Sequence, residues 1–145
     1  MAEPSDTIGN GQRALWTFLF FTLCGPFFAA LAYAAAVILA SPLKLDALLP
    51  ETLPPLGEAV AGVFVWAALP AALAAIGLLP MVLKRGTFGW VMAAAAGVVG
   101  FAAAAALAPF GHQDALPVLA FAAGLIALAV RFVLLAAGIL RETAA

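Results

Sequence analysis

Few residues in this sequence are able to do chemistry, and Arg131 stands out among them by position. It is the single ionisable group in an apolar stretch running from Ala115 to Leu140. A cation in such a segment is costly. Where one occurs, it holds a substrate, a lipid headgroup or a carboxylate, or it reaches for the interface or for unpaired backbone carbonyls. None of the other apolar stretches contains Asp or Glu, so an ion pair at that depth is not expected. Arg141, ten residues further on, belongs at the headgroups. That spacing puts Arg131 about 15 Å up a helix from the interface. One heptad to either side stand Gly124 and Gly138, with Ala127, Leu128, Leu134 and Leu135 between. This partly small-residue stripe favours close packing over lipid contact. Snorkelling or carbonyl binding is the preferred reading of Arg131, with ligand binding as the functional alternative.

A second polar set comprises His112 and Asp114, with Asp46, Glu51 and Glu58 in a loop on the same side. Brought together, these could bind a cation or perform acid–base work. Their spacing matches no ligand pattern, and a zinc site needs three or four well-placed ligands. The expectation is a solvated corner. One His excludes haem held by two histidines of the chain, and one Cys excludes an internal disulfide. Cys24 follows a bulky Leu23, where small residues precede a lipid-attached cysteine, so it is expected to be a buried free thiol. There is no nucleotide-binding loop, nucleophile elbow, HExxH or CxxC. No catalytic residue, metal or cofactor is therefore expected.

The elements that must carry these residues are membrane helices. Of 145 residues, 67% are hydrophobic and 9% charged, against about 45–50% and about 25% in soluble domains. Mean hydropathy is +1.19. A water-soluble globule is excluded, because too little polar surface remains to cover such a core. A formal charge of −1 leaves no basic patch for nucleic acid. A span needs about 20 apolar residues, and the stretches that qualify give helices over 14–40, 59–83, 87–108 and 115–140. Runs such as Ala93–Ala96 and Ala102–Ala106 lack the period-two alternation of a membrane barrel. The expected fold is thus all-α: a polytopic four-transmembrane-helix bundle over 14–141, compatible with two tandem helical hairpins. A polar tail (1–13) precedes it and a short one (142–145) follows. The apolar run after Arg13 is too long for a signal-peptide core of about 7–15 residues.

Loop charges set the orientation. Arg13, Lys84, Arg85 and Arg141 fall on the side of the termini, with Arg131 nearest it, and Lys44 falls opposite. By the positive-inside rule both termini are cytoplasmic. Trp16 and Trp90 stand near the same ends, where interfacial tryptophans belong. Heavy use of Ala, with Arg over Lys, points to a bacterial inner membrane.

Two further patterns concern assembly. The segment from Ser41 to Pro50 resembles that from Ala108 to Pro117: each has Pro, a short gap, Asp-Ala-Leu and Pro. A two-helix duplication would produce this, as would coincidence in an Ala-, Leu- and Pro-rich chain. Small residues line helix 3, and the glycines expected to pack helices are Gly89, Gly97, Gly100, Gly124 and Gly138. Helix 3 is accordingly expected at the bundle's centre. Phe18, Phe20, Phe21, Phe27 and Phe28 make helix 1 a wall facing lipid or a partner. Gly25-Pro26 and Pro70 should kink helices 1 and 2. The expected role is a non-catalytic packing or accessory subunit that self-associates or joins a larger membrane protein in the lipid bilayer. The alternative is a small oligomeric transporter or channel using Arg131 and the kinked helices.

Overall fold

Apolar solvent leaves a backbone no external hydrogen-bond partners, so a chain this hydrophobic closes its own bonds within helices. The computed structural model describes residues 8–40, 42–44, 54–108 and 115–140. They form α1 (Asn10–Ala40), α2 (Leu56–Arg85), α3 (Trp90–Leu107) and α4 (Leu116–Ala136), with no strand among the described residues. The fold is an all-α bundle of four apolar helices, each long enough to cross a membrane. α3, with 18 residues, extends about 27 Å and only just matches a hydrocarbon core of about 30 Å. The 31 residues of α1 and 30 of α2 give about 45 Å each, so both must tilt or protrude.

Each helix packs on the next in chain order, and α4 returns to α1. The pairs run antiparallel: Asn10 reaches Leu83, while Gly25 meets Ala71 further along both helices. In such a ring no helix is central. The expectation that helix 3 is the centre is therefore corrected: α3 occupies one corner, and its small residues serve two separate seams. A β-carbon at Gly100 would lie 2.6 Å from the Pro70 carbonyl oxygen of α2. One at Gly97 would lie 2.5 Å from the Ala123 carbonyl oxygen of α4, and one at Gly124 would lie 3.2 Å from the Val98 side chain. Gly25 approaches Ala71 in the same way, at 3.2 Å. α1 is likewise more than a wall. Arg13, Ala14, Thr17, Phe21, Gly25 and Pro26 form its buried stripe, while Leu23, Phe27 and Leu31 lie on the exposed face. Pro26 and Pro70 stand inside continuous helices and are buried at these seams.

The helix ends differ from expectation, and polar contacts account for it. α1 begins at Asn10 because the Asn10 amide donates to the Leu83 carbonyl at 3.1 Å and the Arg13 guanidinium engages the Ile8 carbonyl, which docks a polar first turn. α2 runs on to Arg85 and stops at Gly86, whose φ of 69° is left-handed. A β-carbon there would be 2.9 Å from the Asn10 side-chain oxygen. α3 starts at Trp90, with Gly89 as its extended N-cap. α4 ends at Ala136, where the helix was expected to reach 140. Gly138 adopts φ 68°, its N–H donates to Leu135 at 2.9 Å, and the Ile139 N–H donates to Leu134 at 3.0 Å. This pair of bonds is the Schellman motif. It folds Ile139 and Leu140 back onto the bundle end, where both are buried. Gly138 is thus a helix stop. No atom would lie within 4 Å of a β-carbon at Gly138 or at Gly89, so the packing role expected of these two is corrected.

Candidate functional site

Asn10, Arg13, Lys84, Arg85 and Arg131 gather at one end of the bundle, where α1 begins and α2 and α4 finish. There the helices expose the carbonyls of their last turns, which have no partner within the helix. C-terminal carbonyls also carry the negative pole of the helix dipole, so donors and cations are favoured beside them.

Arg131 lies on the buried stripe of α4 with Gly124, Ala127, Val130 and Leu134, and is 1% exposed. Its Nε donates to the Phe88 carbonyl at 2.7 Å. The acceptor belongs to the α2–α3 turn, so this bond ties α4 to the connection between the two hairpins. The guanidinium carbon sits 4.0 Å from the Trp90 ring centroid and 5.9 Å from that of Phe88. A cation over a ring face is attracted by the ring quadrupole, more so where water is excluded. Phe88 packs in turn on Phe21 of α1, with centroids 6.3 Å apart. Nη1 of Arg131 is buried without a hydrogen-bond partner among the described residues. Because α4 stops five residues beyond Arg131, the guanidinium is nearer the bundle end than the distance to Arg141 implied. It is held by a backbone carbonyl and two rings.

A second buried guanidinium belongs to the same end of the bundle. Arg13 is buried at 6% exposure. Its Nε donates to the Ile8 carbonyl at 3.0 Å, and its Nη1 donates to the Ile139 carbonyl just past the Schellman turn of α4. One turn along α1, Thr17 is fully buried and its hydroxyl has no partner among the described residues. Thr22, by contrast, donates back to Phe18 of its own helix at 2.8 Å. Neither arginine meets a carboxylate among the described residues, where the one carboxylate, Glu58, stands in the first turn of α2 at the other end.

Asp46, Glu51, His112 and Asp114 lie outside the described residues, as do most of the two segments suggestive of duplication. Among the described residues no group of His, Cys, Asp and Glu is placed to hold a metal ion. Cys24 is a free thiol of intermediate burial. Sequence reasoning placed Arg13 at this end by its charge but missed its burial and carbonyl bonds, and it overlooked Asn10, Thr17 and Phe88 as parts of the site. The signal available was Asn10 and Arg13 at helical spacing, immediately before an apolar run. Trp90 was read as an interfacial anchor; at 47% exposure it also covers Arg131. No protein-family model, curated protein or solved structure matches this chain.

Proposed function

We propose that this chain is a non-catalytic packing or accessory subunit of a bacterial inner membrane, with both termini cytoplasmic, that associates with itself or with a larger membrane protein. One observation carries the reading: the buried guanidiniums of Arg13 and Arg131 and the amide of Asn10 engage the chain's own carbonyls. Used in this way they lock the bundle, and the faces left exposed present apolar side chains such as Leu23, Phe27, Val65, Val91 and Phe121. The test is affinity capture of the chain from its native membranes in mild detergent, with mass spectrometry and sizing of the intact particle. A larger membrane protein recovered at fixed stoichiometry is the expected result.

The transporter alternative has the unpartnered Nη1 of Arg131 in its favour. It would replace the accessory reading if the chain were recovered alone, catalysed solute flux in liposomes, and lost that flux in Arg131→Ala without loss of fold.

A further inference from the structure

We propose that the last turns of α2 form a binding site for an anionic phospholipid, with the phosphate held by Lys84 and Arg85 and an acyl chain lying over Gly77, Pro80 and Met81. These five residues line an open groove of about 240 Å³. They recur at three- and four-residue intervals, so they share one face of the helix. The groove is polar at one end and apolar along the rest. Lys84 and Arg85 are exposed, and neither makes a hydrogen bond or ion pair among the described residues. Below them, Gly77 has no side chain, and nothing lies within 4 Å of where its β-carbon would stand. Pro80 and Met81 complete an apolar floor.

Charge and depth both select a lipid. The lone described carboxylate, Glu58, stands 26 residues before Lys84 on the same helix, which is about 39 Å away, so no described acid competes for the pair. Trp16 and Trp90, both partly exposed, stand at the same end of the bundle and mark the interfacial level. A soluble anion could meet the two cations but would leave the floor uncovered. A phospholipid satisfies both parts, as basic pockets beside membrane helices do for acidic headgroups.

The test is native mass spectrometry of the full chain, titrated with phosphatidylglycerol and with phosphatidylcholine of identical acyl chains. Preferential retention of phosphatidylglycerol is expected. Each surface cation is worth about a factor of five to six in lipid binding, so the double variant Lys84→Gln/Arg85→Gln should lose about thirty-fold. Lys44→Gln, at the opposite end, should retain wild-type binding. Gly77→Leu, which fills the floor without altering charge, should also weaken retention. Thermal unfolding of each variant establishes that it is folded. Equal retention of the two lipids, or wild-type binding by the double variant, would overturn the site. Wild-type binding by Gly77→Leu would do so too, by reducing the contact to headgroup adsorption. Displacement by millimolar inorganic phosphate would reassign the cations to a free anion.

Discussion

A guanidinium buried without a carboxylate has to be stabilised by dipoles, rings or water, and among the described residues Arg131 uses the first two. Its bond to the Phe88 carbonyl and its place over Trp90 are both lost on truncation. A hydrogen bond from a charged donor contributes about 1.5–3 kcal/mol and a desolvated cation–π pair about 2 kcal/mol. Arg131→Ala should therefore lower stability by about 3 kcal/mol, measured by reversible denaturation in mixed micelles. Arg131→Lys keeps the charge but not the planar stacking group and should fall between Arg131→Ala and wild type. If Arg131 served chiefly to hold a ligand, Arg131→Ala would instead match wild-type stability in the absence of that ligand. Thr17 offers the opposite case. A buried hydroxyl with no acceptor is a desolvation cost, so Thr17→Val should preserve stability or raise it by about 1 kcal/mol. A clear loss in the same assay would mean that the hydroxyl has a water or ligand partner.

At the scale of elements, the seams of α3 depend on backbone approaching backbone. Any side chain at Gly97 or Gly100 collides with a carbonyl of the neighbouring helix, and carbonyls cannot rotate away as side chains can. Gly97→Leu and Gly100→Leu should each abolish the folded particle on size exclusion, whereas Gly89→Ala, with open space around it, should elute as wild type. Gly138→Ala places a β-carbon in a left-handed conformation and should cost about 1 kcal/mol without loss of assembly. The helices themselves were plainly legible, because apolar stretches of span length admit little else in lipid. Their ends were less so. Ile139 and Leu140 prolong the apolar run beyond Gly138, so hydropathy alone carries α4 to residue 140, although a glycine late in a helix is itself a stop signal. The partners of Arg131 were beyond reach, since which carbonyl meets a side chain 43 residues away depends on how two hairpins dock.

For the whole molecule, the distribution of charge is the property with the widest consequence. Asn10, Arg13, Lys84, Arg85 and Arg131 cluster where α1 begins and α2 and α4 finish, while Lys44 follows the far end of α1. The bundle is therefore polarised along its axis although its formal charge is only −1. Translocating the cationic end would carry several Lys and Arg across the bilayer, and it is this asymmetry that the positive-inside rule reads. The chain's single cysteine makes the orientation directly measurable. In a Cys24→Ser background, Lys44→Cys should react with a membrane-impermeant maleimide applied to intact cells, and Lys84→Cys should react only after permeabilisation. The reverse pattern would place both termini outside and move the proposed lipid site to the outer leaflet. Labelling of both positions in intact cells would mean dual insertion, which a charge difference of this size opposes. Lys44 also tests the rule at its weakest point, since it is the one described cation standing against the bias.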